Sequence, residues 1–483
     1  MAAPTPDLQR LLRTDFGYDQ FRPGQERMIR DLLAGRDVLG ILPTGAGKSL
    51  VYQLASQLLP GVTLVVSPLL ALMRDQVDGL TQRGVAAGEV NSLQSEREID
   101  RAEAQAQRGT LKLLYVTPER LDDPDFVAAA RSMSVSLLAV DEAHSISEWG
   151  HSFRPAYLKL AEAARALGRP TLLALTATAS PWVRRDIVDR LELREPDVVV
   201  AGLDRPNLYL EVVRVDDEGQ DRRVLRRLLV DRQDDQPLPE RSADTLREGF
   251  DGSGIIYTAT TRGASETARW LRGWGIAADF YHGQRKKRDR ERVQDDFMAG
   301  RLRVIAATNA FGMGVDKPDI RFVIHREITP SLEAYYQEAG RAGRDGAPAR
   351  CTLIYRPADL GRASFLGGSA GNPEFERSRL EMMRSYAEAS ACRRRFLLEY
   401  FGAEPTAERC EFCDVDARTR PVSRSEPAAP YQRQQRVRHP SWGDGVVQRV
   451  AGESIVVLFE SVGYKTLAAD IVEEQKLLAP LSD

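Results

Sequence analysis

The stretch GILPTGAGKSLVY, residues 40–52, constrains the fold more than any other part of the chain. Residues 38–42 form an apolar run that predicts a buried strand, PTGAG predicts a turn, and Lys48 and Ser49 open an amphipathic helix. In such a unit, backbone N–H groups and a lysine at the helix N-terminus can hold phosphates, and a serine hydroxyl can ligate Mg²⁺. Leu42 stands where the strict GxxxxGK[ST] pattern has glycine, so a plain strand–turn–helix remains the alternative.

The composition predicts a protein of roughly two to four domains without a membrane partner. Lys and Arg total 67 against 70 Asp and Glu, a net charge of −3, so any surface that binds nucleic acid must be local. We find neither an apolar stretch long enough to span a membrane nor the pattern of a signal peptide, which predicts a cytoplasmic protein.

Apolar runs alternate with helical patterns through residues 1–210, which predicts an α/β domain with a parallel sheet covered on both faces. Asp141 and Glu142 follow one of these runs, LLAV, and so emerge at a strand end. An aspartate there can hold Mg²⁺ through water, and the glutamate can activate the attacking water. The expected strands are residues 38–42, 63–66, 111–116, 136–140, 171–175 and 198–201.

A second α/β pattern covers residues 253–365 and lacks a phosphate loop. Its segment QEAGRAGRDG contains Arg341 and Arg344, which could reach a γ-phosphate bound by the first domain. Residues 211–252 are charged and predict a linker without strands. The expected strands are residues 254–257, 277–281, 303–307, 321–325 and 351–355.

The segment SISEWGHSFRPAY, residues 145–157, is dense in aromatic and basic residues. Trp149 and Phe153 are candidates for base stacking, and Arg154 is a candidate for a phosphate contact. The alternative is a loop whose aromatic side chains fold back onto the core.

Another candidate contact lies upstream of the phosphate loop. Tyr18 could stack on an adenine ring, and Gln25 could bond to its edge. Composition alone favours a solvent-facing turn with a core tyrosine.

The motifs occur in an order that resembles RecQ-family DNA helicases over residues 8–416. They are TGAGKS, SPLLALMRDQ, TPER, DEAHSISEWGHSFRP, LALTATA, GIIYTATTR, ATNAFGMGVDKPDIRFVIH and YYQEAGRAGRDG. The resemblance implies two RecA-like lobes, an ATP site between them and 3′-to-5′ movement on single-stranded DNA.

The resemblance also implies roles residue by residue. It implies an adenine-reading motif at Tyr18, Arg22 and Gln25, which replaces the core-tyrosine interpretation. It implies phosphate and Mg²⁺ binding by Thr44, Gly45, Gly47, Lys48, Ser49 and Asp141. It implies catalysis by Lys48, Asp141, Glu142, Gln337, Arg341 and Arg344, with Arg344 as the arginine finger. It implies DNA binding by Trp149, Phe153 and Arg154.

A helical zinc-binding subdomain is implied over residues 366–418. Cys392, Cys410 and Cys413 match its cysteines, and Asp416 stands where the family has a fourth. Three thiolates and a carboxylate can hold tetrahedral zinc. The alternative is a remnant held by packing, with three free thiols.

The last residues differ from the winged helix with which RecQ helicases typically continue. Residues 419–435 predict a linker, and residues 436–483 contain short strands with glycine turns that predict a small all-β module. HPSWGDGVV and GYKTL in this segment resemble the Tudor-like C-terminal module of UvrD/PcrA-type helicases, which implies binding to RNA polymerase or nucleic acid. Its expected strands are residues 445–450, 454–459 and 463–467.

The predicted function is a Mg²⁺- and DNA-dependent ATPase that unwinds DNA 3′ to 5′ in repair or recombination. Its expected partners are single-stranded and forked DNA, in the cytoplasm and at the nucleoid. One alternative is a translocase that remodels protein–DNA or transcription complexes with little unwinding, and another is a nucleotide-gated adaptor that does not turn over ATP.

Overall fold

The computed structural model describes residues 7–147, 153–231, 250–312, 317–366, 373–405, 407, 409–418, 431–451 and 454–481. The chain divides into two units, and the boundary along the sequence lies between Leu203 and Asp204.

A seven-stranded parallel sheet forms the core of the first unit, in the order β3-β4-β2-β5-β6-β1-β7. Its strands are β1 Val38–Ile41, β2 Val62–Val66, β3 Ala87–Val90, β4 Leu113–Val116, β5 Val135–Val140, β6 Thr171–Thr176 and β7 Asp197–Val200. Its helices are α1 Leu8–Phe16, α2 Gln25–Leu33, α3 Lys48–Leu58, α4 Leu70–Gln82, α5 Glu96–Gln107, α6 Pro124–Arg131, α7 Leu160–Ala166 and α8 Pro181–Arg190. The strands are apolar on both sides because helices cover both faces of the sheet.

Close packing of α2 on β1 brings the N-terminal helices beside the phosphate loop. A Cβ on Gly40 in β1 would lie 2.6 Å from Met28 Sδ of α2 and 2.7 Å from Leu175 Cδ2 of β6. Only glycine therefore fits at this point of the strand. Strand β3 is absent from the sequence-based expectation because its segment, AGEV, lacks an apolar run.

The second unit contains a six-stranded parallel sheet in the order β10-β11-β9-β12-β13-β8. Its strands are β8 Leu208–Arg214, β9 Ser253–Tyr257, β10 Ala278–Tyr281, β11 Val304–Ala307, β12 Ile320–His325 and β13 Ala349–Tyr355. Its helices are α9 Glu218–Arg226, α10 Thr261–Gly273, α11 Lys287–Met298, α12 Leu332–Ala339 and α13 Leu360–Leu366.

Strand β8 corrects the expected boundary between the two domains. The sequence places its residues at the end of the first domain and in a strandless linker, whereas β8 pairs with β13 in the second sheet. Glu211 interrupts its apolar pattern, and for that reason the strand was missed. The Glu211 carboxylate is buried and pairs with Arg350 of β13 at 2.9 Å, so the charge is neutralised within the sheet.

A helical region and a small antiparallel sheet complete the second unit. The helices are α14 Pro373–Glu388, α15 Arg393–Tyr400 and α16 Asp414–Arg418. The sheet has the order β17-β16-β15-β14-β18, formed by β14 Arg436–His439, β15 Gly443–Ala451, β16 Ser454–Phe459, β17 Gly463–Ala468 and β18 Ala479–Pro480, with α17 Ala469–Gln475. Its core is Val437, Val447, Ile455, Val457, Phe459, Val472 and Leu478.

The C-terminal module begins before the expected position. Tyr431 lies in the predicted linker, yet its hydroxyl donates to the carbonyl of Leu478 at 2.8 Å inside the module. The predicted fold class is confirmed: two parallel α/β units, a helical region and a small all-β module. Within the described ranges, every helix is too short or too polar to cross a membrane.

Candidate nucleotide, nucleic-acid and zinc sites

The loop between β1 and α3 has the backbone of a phosphate cradle. Gly45 and Gly47 have left-handed φ angles of 82° and 73°, which residues with side chains rarely adopt. Gly47 begins α3, and no described side chain caps the helix there, so its first N–H groups can bind an anion. Lys48 Nζ lies 3.3 Å from the carbonyl oxygen of Leu42. Thr44 and Ser49 are half-buried in the same loop.

Gln25 holds this loop in place from α2. Its side chain is only 1% exposed, and its Nε2 donates to the carbonyls of Ala46 and Gly47 at 3.0 and 2.9 Å. Its Oε1 accepts the N–H of Arg22 at 2.8 Å. The structure therefore places the amide of Gln25 against the phosphate loop, a contact that the sequence-based interpretation, an adenine edge, did not include.

Tyr18 and Arg22 lie on the surface beside the loop. Tyr18 is 48% exposed, so the expectation of a core tyrosine is wrong and its ring is accessible to a ligand. The guanidinium of Arg22 donates to the carbonyl of Gly45. The segment upstream of the loop thus contacts the loop backbone at both Arg22 and Gln25.

Asp141 and Glu142 follow β5 directly, at the sheet edge where β1 leads into the phosphate loop. Burial raises the pKa of Asp141 to about 7; the neighbouring Glu142 adds to the rise, and the charge of Lys48 opposes it. Two adjacent carboxyl groups at a buried position favour the binding of a cation. Asp141 and the hydroxyl of Ser49 are therefore oxygen ligands that fit Mg²⁺.

His144 connects the DEAH segment to β6. Its buried Nδ1 lies 3.0 Å from Thr176 Oγ1 and 3.3 Å from Glu142 Oε2. Burial, with a smaller contribution from the charge of Lys48, lowers the pKa of His144 to about 3, so its ring is neutral near pH 7. His144 and Thr176 were missed as site residues, although both belong to the polar groups that follow strand ends.

The aromatic-rich segment contains one backbone hydrogen bond between its two ends and contacts the DEAH segment through Tyr157. The N–H of Arg154 donates to the carbonyl of Ser145 at 2.9 Å. The hydroxyl of Tyr157, which is fully buried, donates to the main-chain carbonyl of Asp141 at 2.9 Å. Burial first, and then the charge of Asp141, raises the pKa of Tyr157 well above its usual value, so the phenol remains a donor. The sequence pattern did not predict a role for Tyr157.

Two of the three predicted DNA-binding residues lie in the described part of this segment. Phe153 and Arg154 are half-buried, and Arg154 Nη1 lies 3.4 Å from the carbonyl oxygen of Pro68. Trp149 lies outside the described residues. The structure therefore leaves both Phe153 and Arg154 partly accessible at the base of the segment.

In the second unit, α12 leads into the predicted arginine pair. Arg341 is buried and donates to the carbonyl of Gly312, so its guanidinium is used within the fold. Arg344 and Gln337 are half-buried. Of the two arginines, Arg344 is the more accessible to a phosphate.

Three cysteines and an aspartate converge at the N-terminal ends of α15 and α16. The ligand atoms of Cys392, Cys410, Cys413 and Asp416 all lie within 4.8 Å of one another. Two N–H groups are directed at sulfur. Phe412 N, in the turn between the last two cysteines, lies 3.4 Å from Cys410 Sγ, and Asp416 N, in α16, lies 3.5 Å from Cys413 Sγ. Such bonds stabilise thiolates, so the donor set fits zinc.

Asp416 is oriented by the same turn. Its Oδ2 accepts the N–H of Cys410 at 2.7 Å and that of Glu411 at 3.2 Å. The turn requires a left-handed residue at Glu411, where φ is 54°. The structure thus brings together all four predicted zinc ligands, including the substituted fourth position.

The fold and the phosphate loop are those of the DEAD/DEAH box helicase class, whose model matches residues 22–186. The helicase conserved C-terminal domain matches residues 239–346, the RecQ zinc-binding model matches 357–417, and a protein family of unknown function, DUF3553, matches 434–477. The chain belongs to the RecQ family of ATP-dependent DNA helicases.

Relatives support this assignment. The chain is 39% identical to the ATP-dependent DNA helicase RecQ of Bacillus subtilis over 84% of its length, and 42% identical to the protein named "Probable ATP-dependent DNA helicase RecS" of the same species over 73%. It covers 66% of the former and 68% of the latter. Of the RecQ proteins of Pasteurella multocida and Haemophilus influenzae it spans 61% and 63%.

Solved structures match the fold. Mycobacterium smegmatis helicase Lhr bound to ssDNA and AMP-PNP matches with a TM-score of 0.54 and 22% identity, over 75% of this chain and 49% of that one. Saccharomyces cerevisiae Dbp5 bound to RNA and ADP BeF3 matches with a TM-score of 0.55 and 18% identity, over 75% and 92%. At these identities the likeness concerns the two-sheet architecture alone.

Proposed function

We propose that this chain is an ATP-dependent 3′–5′ DNA helicase that couples ATP hydrolysis to movement along single-stranded DNA in repair or recombination. One observation carries the proposal: Tyr157 ties an aromatic-rich segment to Asp141, at the sheet edge that also holds the phosphate loop. A segment that contacts both DNA and the hydrolytic site can couple the two. The names of the relatives support unwinding over remodelling without unwinding.

We assign the chemistry of ATP hydrolysis to five residues. Lys48 binds the β- and γ-phosphates, and Ser49 and Asp141 hold Mg²⁺, which supplies neutralising charge to the phosphates. Glu142, whose Oε2 lies 3.3 Å from His144 Nδ1, positions the attacking water and accepts its proton. Arg344 acts as the arginine finger that stabilises charge on the transferred phosphoryl group.

Around this centre, the remaining predicted residues serve binding. Tyr18 stacks on the adenine, while Arg22 and Gln25 hold the loop formed by Thr44, Gly45 and Gly47. Gln337 and Arg341 support the arginine-finger segment from the second unit. This division follows from exposure, since Tyr18 is accessible and Arg341 is buried.

The nucleic-acid partner is single-stranded DNA and the forked duplex that adjoins it. Trp149 and Phe153 stack on bases, and Arg154 contacts the backbone. We infer that the protein acts in the cytoplasm, on the DNA of the nucleoid.

The experiment that tests the function is strand separation on matched duplexes with a 3′ or a 5′ single-stranded tail. We expect ATP-dependent opening of the 3′-tailed duplex only, and none with Glu142→Gln. ATP hydrolysis that DNA stimulates, without separation of either duplex, would contradict unwinding and favour a translocase. Absence of DNA-stimulated hydrolysis would leave only the adaptor alternative.

We further propose that Asp416 completes a zinc site with the three cysteines. Asp416→Ala should weaken zinc binding at least tenfold, as loss of a ligand does, whereas Asp416→Cys should retain it. Competition with a chromogenic zinc chelator measures both. A matched control is Asp444→Ala, which removes an exposed carboxylate paired with Arg438 in the C-terminal module. Equal zinc affinity for Asp416→Ala and Asp444→Ala would exclude Asp416 as a ligand.

The C-terminal module is proposed to be Tudor-like and to bind RNA polymerase. Its two motif segments meet: His439 stacks on Trp442 with ring centroids 4.1 Å apart, and Lys465 Nζ lies 5.6 Å from the Trp442 ring. Trp442→Ala should reduce capture of RNA polymerase by the immobilised full-length protein. Undiminished capture would contradict the contact.

A further inference from the structure

The C-terminal module is seated on helix α14 through its edge strand. Strand β17 ends the small sheet, so among the described residues one side of its backbone has no partner strand. The hydroxyl of Ser378 in α14 accepts the N–H of Tyr464 in β17 and lies 3.4 Å from the carbonyl oxygen of the same residue. Both residues are buried. A helix side chain thus satisfies the exposed edge that an isolated module would present to solvent.

Two arginines of the module fasten it to α15. The guanidinium of Arg449 lies 4.4 Å from the centre of the Phe396 ring, and its Nε lies 3.6 Å from Glu399 Oε2. Arg433 donates to the carbonyl of Ala403, just beyond the C-terminus of α15, at 3.0 Å. These contacts come from two separate parts of the module, so its orientation on the helices is defined.

A chain of buried contacts continues from the module to α12. The ring of Tyr464 lies 5.4 Å from that of Tyr400, centre to centre. The hydroxyl of Tyr400 donates to Glu333 Oε1 in the first turn of α12 at 2.5 Å. Burial, and then the Glu333 carboxylate and Tyr464, raises the pKa of Tyr400 well above its usual value, so the phenol stays protonated.

Glu333 depends on this bond. Its side chain is 3% exposed, and its other oxygen, Oε2, has no hydrogen-bond partner in the described part of the chain. A buried carboxylate with one good donor loses much more than one bond when that donor is removed. The next turn of α12 is also in contact with Phe401, the residue that directly follows α15. The centre of the Phe401 ring lies 4.8 Å from the centre of the Tyr336 ring. Helix α12 leads directly to Arg344.

We propose that the C-terminal module positions α12 through the Tyr464–Tyr400–Glu333 contacts, and that Tyr400 and Tyr464 are positioning residues for ATP hydrolysis. This inference rests on the proposed role of Arg344 as the arginine finger. The module, whose matching family has no known function, thereby acts on the catalytic step without touching ATP.

The test compares two phenol-to-carboxylate bonds in full-length protein. Tyr400→Phe removes the hydroxyl that reaches Glu333. The matched control, Tyr355→Phe, removes a hydroxyl of β13 that donates to Glu388 Oε1 of α14 at 2.6 Å. We expect Tyr400→Phe to lower kcat for ATP about three- to tenfold at saturating single-stranded DNA, with KM for ATP within about twofold. Tyr355→Phe should match the wild type in both. Equal kcat for the two variants would overturn the proposal.

A double-variant cycle tests the path. Tyr464→Ala removes the ring that packs on Tyr400, and it should lower kcat without raising KM. Combined with Tyr400→Phe, the effect should be smaller than the product of the single effects, because both changes act on one path. Multiplicative effects would contradict the path.

Arg344→Ala, measured in parallel, separates this inference from the function on which it rests. Loss of turnover with Arg344→Ala but not with Tyr400→Phe overturns the positioning role alone. Wild-type turnover with Arg344→Ala overturns the arginine finger and the positioning role together. Thermal unfolding of each variant identifies a loss of kcat that merely follows a loss of fold.

Discussion

Each parallel sheet contains a strand that leads into a helix. The two helices differ in whether a side chain caps the N-terminus. In the first unit, β1 leads to α3, whose first residue follows Gly47 and has no described capping side chain. In the second unit, β9 leads to α10, where the side chain of Thr260 accepts the N–H of Gly263 at 3.0 Å. The first helix offers its N–H groups to an anion, and the second satisfies one of its own.

This difference fits the two roles that we propose for the units. A glycine loop leaves the helix N-terminus open for phosphates, whereas a threonine cap stabilises the helix and closes the site. For the second unit we propose a different part in hydrolysis, a cationic side chain at Arg344, while the Arg341 guanidinium donates to the carbonyl of Gly312 within the fold. The following predictions test this division, beginning with the largest expected effect.

Removal of the Arg344 guanidinium, in the second unit, should have the largest effect on ATP turnover. Arg344→Ala should lower ATP turnover by about 10³ to 10⁵ while ATP binding persists, because the finger acts on the transition state. Phosphate release measures the rate, and binding of a fluorescent nucleotide measures affinity. Arg269→Ala, on the exposed face of α10, serves as the control. Near-wild-type turnover would show that the second unit does not contribute this charge.

A side chain added to the phosphate loop should act on ATP affinity. A Cβ at Gly47 would lie 2.8 Å from Gln25 Nε2, at a left-handed φ. Gly47→Ala should therefore weaken nucleotide binding on the order of tenfold to a hundredfold. Gly84→Ala is the matched control, since Gly84 has a φ of 78° and no described atom lies within 4 Å of a Cβ added there. If both variants bind nucleotide equally, the loop does not hold the phosphates.

Loss of the Tyr157 hydroxyl, in the first unit, should lower DNA-stimulated ATP turnover, and the effect should be smaller than those of the two changes above. Tyr157→Phe removes the bond to the Asp141 carbonyl and should lower DNA-stimulated kcat about two- to tenfold. Stimulation by DNA, the ratio of rates with and without it, is the quantity to compare. Tyr431→Phe removes a phenol-to-carbonyl bond of similar length in the C-terminal module and should leave this ratio unchanged.

Loss of the Thr260 helix cap in the second unit should lower the stability of the protein and leave the kinetic constants for ATP unchanged. Thr260→Ala should cost about 1 kcal/mol of unfolding free energy, as the loss of a helix cap does. The midpoint of urea unfolding and the kinetic constants for ATP test this together. A rise in KM for ATP with Thr260→Ala would break the contrast between the two helix N-termini.

The parts of the protein that were predicted from sequence depend on local pattern. The phosphate loop, the DEAH segment and the cysteine pair at Cys410 and Cys413 were recognised because their residues lie close together in the chain. Apolar runs indicated the strands of both sheets except β3 and β8, and the fold class is confirmed. The roles of these residues stay predictions.

The parts that were missed depend on partners distant in sequence. Strand β8 was hidden by Glu211, whose charge is acceptable only because Arg350 lies opposite in β13. The importance of Gln25 to the loop and of Tyr157 to Asp141 likewise appears only when α2 and the aromatic-rich segment are packed on the sheet. The local sequence around each of these residues does not indicate which distant residue it contacts.

The sequence by itself therefore determined the two α/β units, because apolar runs that alternate with helical patterns can be read along the chain. The ATP-binding residues and the four zinc ligands were predicted from local motifs and a family resemblance, and these roles stay predictions. Tertiary structure alone decided that Arg341 is buried while Arg344 is accessible. It also decided that the C-terminal module packs on α14 and α15, where Tyr464 of the module contacts Tyr400. Burial and long-range pairing set these outcomes, and both are properties of the packed chain.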